Sequence, residues 1–170
     1  FTFTNQLGKQ VDNTTYRGKI WIAEFFFASC PSICPIMNNQ LKRLYKKLSK
    51  EELEEIQFLS FSIDPTHDTP SVLKAYQRRH HINYKNWDFL TGDEAETPRL
   101  GIQNFLTVAG KDDESAGGYA HSGSFTLVDK NGYVRGVYAV TNFDLSVNEQ
   151  EFDRMVKEIE ILYDEHISSK

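Results

Sequence analysis

The 170-residue sequence predicts a three-layer α/β sandwich with an N-terminal β-hairpin extension, and three patterns predict it. Two continuous apolar runs, residues 20–27 and 58–63, have the character of strands buried on both faces. Each is followed by a segment of helical apolar spacing, so strands and helices alternate as in parallel βαβ units. Near the end, residues 124–128 and 133–139 alternate around Asp129-Lys130-Asn131-Gly132, a strong hairpin signal, and a last helix follows. A β-α-β-α-β-α series closed by β-β-α is a sandwich of thioredoxin type.

In chain order, residues 1–17 alternate weakly around the turn Asn5-Gln6-Leu7-Gly8-Lys9 and predict the hairpin. After the first buried strand, Pro31 and Pro35 suit a first helical turn. Met37, Leu41, Leu44, Tyr45 and Leu48 then mark an amphipathic helix to about Lys50. The second strand closes at Asp64-Pro65, and Thr69-Pro70 supplies an N-cap and a first helical residue for a helix to about Arg79. Residues 87–90 form a third strand, and Thr97-Pro98 begins a helix to about Phe105. Residues 107–119, rich in Gly, Asp, Lys and Ser without periodicity, predict a mobile loop. Phe152, Met155, Val156, Ile159, Leu162 and Tyr163 mark the final helix. No linker interrupts this series, so residues 1–170 read as one domain.

Composition removes several functions. Nineteen Lys and Arg against twenty-four Asp and Glu give a net charge of −5, which argues against a nucleic-acid surface. No repeat is visible, and the longest apolar stretch is too short to cross a bilayer. The sequence begins at Phe1 without a basic-then-apolar leader, which predicts that a signal or anchor was removed or the chain trimmed. Its only cysteines, Cys30 and Cys34, are too few for a disulfide framework and read as a redox couple or a metal clamp.

Cys30-Pro31-Ser32-Ile33-Cys34-Pro35 lies where a central strand meets a helix. If the first turn is helical, residues four apart bring both sulfurs to one face, in range for a disulfide or a shared metal. The helix N-terminus would favour thiolate over thiol. Two sulfurs alone do not complete a metal site. Of the five histidines, His166 is expected to be solvated near a frayed C-terminus, and His80 and His81 end a helix. His67 lies in the turn after the second strand. His121 differs, because it immediately precedes Ser122-Gly123 and the strand that a thioredoxin-like sheet sets beside the redox turn. Thioredoxin-type oxidoreductases carry a cis-proline there; here no proline follows Pro98, and His121-Ser122 takes the place. Gly110, Gly117 and Gly118 precede His121, so the loop is expected to swing the imidazole in when metal arrives.

Glu24 sits mid-strand among aromatics, either as an edge-facing or paired structural acid or as a group that tunes the thiols. Asp64 and Asp68 read as turn and cap residues. Met37 and Met155 read as core, and Asp112-Asp113-Glu114 as a solvated loop tip.

Together these segments resemble the Sco (SenC) family, which assembles the copper centre of cytochrome c oxidase. Phe25-Phe26-Phe27-Ala28-Ser29-Cys30-Pro31-Ser32-Ile33-Cys34-Pro35 is similar to the family's Phe…Cys-Pro-x-x-Cys-Pro block. Ser62-Ile63-Asp64-Pro65-Thr66-His67-Asp68-Thr69-Pro70 and Trp87-Asp88-Phe89-Leu90-Thr91-Gly92 resemble its next two blocks. His121-Ser122, followed by Phe125, Leu127, Asp129 and Gly132, resembles the block that supplies a histidine ligand. Ala28-Ser29 departs from the Thr-His or Thr-Asn of many members.

The resemblance implies that Cys30, Cys34 and His121 bind copper, as Cu(I), Cu(II) or both. It implies service to the copper-bearing subunit II of cytochrome c oxidase by a membrane-anchored, extracytoplasmic bacterial protein, with other copper chaperones or thiol reductants as further partners. Soft thiolates suit Cu(I) independently, and three donors leave room for a partner's incoming ligand. The rival reading is a thiol–disulfide reductase that needs only Cys30 and Cys34 and keeps the target's cysteines reduced. A peroxiredoxin-like peroxidase is disfavoured, because Ala23 and Phe27 stand where its Pro and Thr/Ser would precede Cys30.

Overall fold

Side-chain burial decides which strands take the middle of the sheet. The structure, a computed structural model, describes residues 1–106, 109–111, 114 and 117–169, with the backbone alone for 109–111 and 119–121. Its elements are β1 (Thr2–Asn5), β2 (Gln10–Asp12), β3 (Ile20–Phe26), α1 (Ile33–Lys47), α2 (Lys50–Glu55), β4 (Ile56–Ser62), α3 (Pro70–Arg79) and β5 (Trp87–Thr91). There follow α4 (Glu96–Gln103), β6 (Ala109–Lys111), β7 (Tyr119–His121), β8 (Ser124–Val128), β9 (Val134–Ala139) and α5 (Glu149–Ser168).

The two continuous apolar runs become β3 and β4, paired in parallel from Ile20 opposite Ile56 to Phe26 opposite Ser62. Every residue of β3 is buried, as a strand covered on both faces requires. β5 runs parallel to β4, and the β1–β2 hairpin extends the sheet through antiparallel pairing with β5. On the other side β8 pairs antiparallel with β3 and β9 with β8, giving the order β2-β1-β5-β4-β3-β8-β9. This is the thioredoxin-like α/β architecture the sequence predicts.

Alternation along the strands sorts the two helical layers. Phe26 meets Tyr76 of α3 at 5.2 Å between ring centroids, and Phe58 meets Tyr45 of α1 at 5.5 Å. α5 joins this layer, where Glu149 pairs with Arg43 of α1 at 2.7 Å and the Arg43 guanidinium lies 4.1 Å from the centre of the Phe152 ring. Phe25 and Phe61 point the other way, into an aromatic cluster with Phe1, Phe3 and Phe105 just beyond α4.

In two segments the secondary structure departs from the sequence reading. α1 stops at Lys47, because Leu48 turns extended and Ser49 starts a separate helix. Ser49 accepts from the Glu52 N–H while the Glu52 carboxylate accepts from the Ser49 N–H, a capping box that the longer apolar periodicity hides. Within the expected 107–119 loop, β6 pairs antiparallel with β7, Ala109 opposite His121. Residues 107, 108, 112, 113, 115 and 116 lie outside the described residues, so the expectations for the loop's mobility and for Asp112 and Asp113 fall there in part or whole. Glu114 is exposed.

Candidate metal site

β3 ends at Phe26, and the Cys30 N–H donates to the Phe27 carbonyl at 3.1 Å, closing a turn before α1. Ser32 stands at the N-cap with no side-chain cap bond, so α1 begins at Ile33. Cys30 therefore precedes the helix and Cys34 is its second residue. The sulfurs meet across a turn, not along a helical face as the four-residue spacing predicts. Both cysteines are reduced, with no disulfide between them, and buried, Cys34 at 1% exposure and Cys30 at 9%. Their thiols are hydrogen-bonded to each other.

Burial pushes the Cys34 thiol well above its ordinary range, the Cys30 thiol and Glu24 add to the rise, and a Phe27 backbone hydrogen bond opposes it. The sequence expectation of a helix-favoured thiolate is corrected here. A helix terminus contributes about 0.3–1 kcal/mol, under one pKa unit, whereas full burial shifts a group by up to roughly 3–5 units. Cys34 is held as a thiol, and a metal that bonds to its sulfur displaces the proton.

A buried carboxylate fastens the turn. Asp68 Oδ2 accepts the Ala28 N–H at 3.0 Å and the Ser62 hydroxyl at 2.6 Å. Asp64 closes the following turn, its carbonyl accepting the Asp68 N–H at 2.9 Å, and its carboxylate receives His67 Nδ1 at 2.8 Å. Asp64 is a turn residue as predicted. Asp68 does more, since it ties the β4 exit to the β3 exit across forty residues of chain. Asp68→Ala leaves the buried Ser62 hydroxyl and the part-buried Ala28 N–H without their acceptor, and the expected loss of stability is about 1–3 kcal/mol. Urea unfolding of the reduced protein checks it; an unchanged midpoint contradicts this role.

Close enough to Cys34 to act on it lies a buried polar group, of which Glu24 stands out most plainly in the sequence. Glu24 Oε1 accepts the Ser60 hydroxyl at 2.6 Å, and Ser60 Oγ accepts Trp87 Nε1–H at 2.8 Å. Glu24 Oε2 has no hydrogen-bond partner among the described residues. Burial pushes this carboxyl up to about 8, against the lowering effect of Ser60. One helical turn beyond Cys34, Asn38 donates to the Tyr76 hydroxyl at 2.5 Å. Glu24 thus joins both sequence readings, a paired structural acid that also acts on Cys34. Asn38 carried a readable signal, a lone amide on the apolar face between Met37 and Leu41, whereas Ser60, Tyr76 and Trp87 look like ordinary strand and helix residues.

His121 is the last residue of β7, and its side chain lies outside the described residues. The chain on both sides of it rests on the cysteine turn. Gly117, with φ +84°, comes so close that a Cβ there would lie 2.8 Å from Phe27 and 3.3 Å from Pro31. Gly123 is wedged so that a Cβ would lie 2.6 Å from the Thr141 carbonyl and 2.9 Å from Ile33, between the two cysteines in sequence.

The other histidines are occupied elsewhere. His80 caps α3 and His81 follows with φ +53°. His67 is exposed beside Asp64. His166, expected to be solvated, is buried and pairs with Glu55 at 2.8 Å, because α5 stays helical and packs its last turn on the end of α2. Met37 and Met155 are core residues, as expected. Among the described residues no group of three His, Cys, Asp or Glu side chains could hold a metal. The donor set in view is two adjacent thiols, which fits a soft, low-coordinate ion such as Cu(I).

A thioredoxin-like sheet with a reduced dithiol at its central strand-to-helix junction defines a protein of thiol-based metal or redox chemistry. The SCO1/SenC family profile matches residues 1–157, and the chain belongs to that family. A SCO1/SenC family lipoprotein from Bacillus anthracis superposes with a TM-score of 0.82 at 32% identity, over 96% of this chain and 92% of its own. BsSco, described as a Sco-family cytochrome c oxidase assembly protein with a disulfide switch, gives 0.77 at 34%, over 94% and 89%. The copper-bound ScoI of Bradyrhizobium japonicum gives 0.70 at 22%, over 94% and 96%, and shares the fold.

Proposed function

We propose that this chain is a copper metallochaperone that holds copper through Cys30, Cys34 and His121 and assists assembly of the dinuclear copper centre of cytochrome c oxidase. Two observations support the reading: the Cys30 and Cys34 thiols are hydrogen-bonding neighbours, and Gly117 and Gly123, on either side of His121 in sequence, pack against the same turn. Cys30 and Cys34 supply soft donors, His121 a borderline one, and a three-donor site leaves a position for the recipient's ligand. The recipient in this reading is the copper-bearing subunit II. The assembly role of BsSco and the copper held by ScoI support it. The lipoprotein nature of the Bacillus anthracis relative supports a membrane tether on the extracytoplasmic side. No described helix is long and apolar enough to cross a membrane.

The same sulfurs make loading sensitive to oxidation. Joining Cys30 and Cys34 removes two protons and two electrons and leaves no thiolate to bind copper. Titrating reduced and diamide-oxidised protein with Cu(I) tests this. One equivalent is expected on the reduced form and none of comparable affinity on the oxidised form. Equal binding by both overturns the thiolate site. For the reductase reading, disulfide turnover no faster than that of a small free thiol removes it.

A further inference from the structure

Although the chain is acidic overall, nine of its nineteen Lys and Arg lie in residues 29–50 and 69–87, which contain no Asp or Glu. These segments carry α1 and α3. The two helices pack side by side, as the Asn38–Tyr76 hydrogen bond, a Lys42 Nζ bond to the His80 carbonyl at 3.0 Å and the Tyr45–Tyr84 stack at 3.9 Å show. A groove at their junction is lined by Lys42, Arg43, Lys46, Lys47 and His81. A second, sharing His81 and Tyr84, adds Lys74, Arg78 and Lys85, with Asp88 as its one carboxylate. Arg43 alone of these cations is bridged to a carboxylate among the described residues, whereas Lys19, Arg99, Arg135 and Arg154 elsewhere each hold one or two. A helix dipole accounts for a cation or two in each last turn. It does not account for two acid-free segments brought together on one face.

We propose that the α1–α3 face docks electrostatically on an anionic lipid bilayer. The cations there are exposed or half-buried on long flexible arms, so no desolvated cage selects a single small anion. Protein interfaces centre on apolar anchors, and Val72 is the one large apolar residue that α1 and α3 expose. A field of solvated charges suits a surface of many headgroups, to which each Lys or Arg adds an increment of attraction. The helices share a direction because both cross between parallel strands, so Lys46, Lys47, Arg78 and Arg79 cluster at the end away from the cysteines. From Cys34 to Lys46 is about 18 Å of helix. Docking through that end leaves the cysteine-bearing end of the molecule turned away from the bilayer and toward a partner.

Sedimentation with vesicles of mixed phosphatidylglycerol and phosphatidylcholine tests the proposal on the full chain. Binding is expected to the mixed vesicles but not to phosphatidylcholine alone, and is expected to weaken as salt rises above about 0.15 M. A quadruple variant, K46E/K47E/R78E/R79E, is expected to bind at least about tenfold more weakly. The matching quadruple Gln variant, which keeps good helix formers, is expected to bind at an intermediate level. K9E/R17E/K130E/K157E, with the same change in net charge on other surfaces, is expected to bind as the parent does. Equal loss in both Glu variants overturns the assignment to this face, as does no binding to either vesicle. Tighter retention on polyglutamate than on vesicles, or displacement by millimolar inorganic phosphate at constant ionic strength, also overturns the bilayer as the occupant. Cys34→Ser protein is expected to bind vesicles normally, so this result is independent of the copper site.

Discussion

His121→Ala protein is expected to lose copper affinity by on the order of a hundredfold or more while still forming the Cys30–Cys34 disulfide. The magnitude follows if His121 is the direct ligand proposed above, since changes one shell further out already cost roughly 10–100-fold. The asymmetry follows from the geometry. The two thiols already touch each other without help from β7, so oxidation does not need the imidazole. Cu(I) competition with a chromophoric chelator reads the first effect, and thiol counting after diamide reads the second. Cys34→Ser is expected to lose both. If His121→Ala keeps its affinity and its copper spectrum, the three-donor site is wrong. If it fails to oxidise, its loop supports the cysteine turn instead of completing a metal shell.

Glu24→Gln is expected to change the pH dependence of stability strongly between pH 5 and 8. In the folded chain the Glu24 carboxyl titrates at about 8, against an ordinary carboxyl near 4.5. Between those values the folded protein keeps a proton that the unfolded chain has released. Glu24 therefore contributes its full stability below about pH 4.5, loses it as pH rises toward 8, and changes little beyond. A shift of this size corresponds to several kcal/mol as an upper bound. Gln keeps a neutral side chain and an acceptor for Ser60 at every pH. The variant is therefore expected to gain on the parent progressively from pH 5 to 8. Denaturant curves of both reduced, metal-free proteins measure the difference, in which titrations common to both cancel. Parallel stability profiles would show that Glu24 is not held neutral by its surroundings.

Much of the fold was legible because its signals are local. The run at 20–27 had to be a doubly covered strand, Thr69-Pro70 had to open a helix, and Asp129 to Gly132 had to turn a hairpin. The end of α1 was less legible. Leu48 continues the apolar period, and only the reciprocal bonds of Ser49 and Glu52 break the helix there. His166 misled for a related reason. Nearness to the end of a chain suggests fraying, but α5 runs to Ser168 and buries the ring against Glu55 from over a hundred residues away. At the site, the spacing of Cys30 and Cys34 announced a dithiol, and His121 stood where a thioredoxin-like sheet carries a proline.

By itself the sequence determined the strand and helix series, the placing of a reactive pair at a strand-to-helix junction, and the acid-free character of two helices. These depend on residues near one another along the chain. The protonation of Cys34, the bond from Asp68 to Ala28, the polar cluster around Glu24 and the pairing of two basic helices into one face were decided only in three dimensions. Each depends on desolvation or on atoms that meet from distant segments, and neither quantity has a value until the layers have packed.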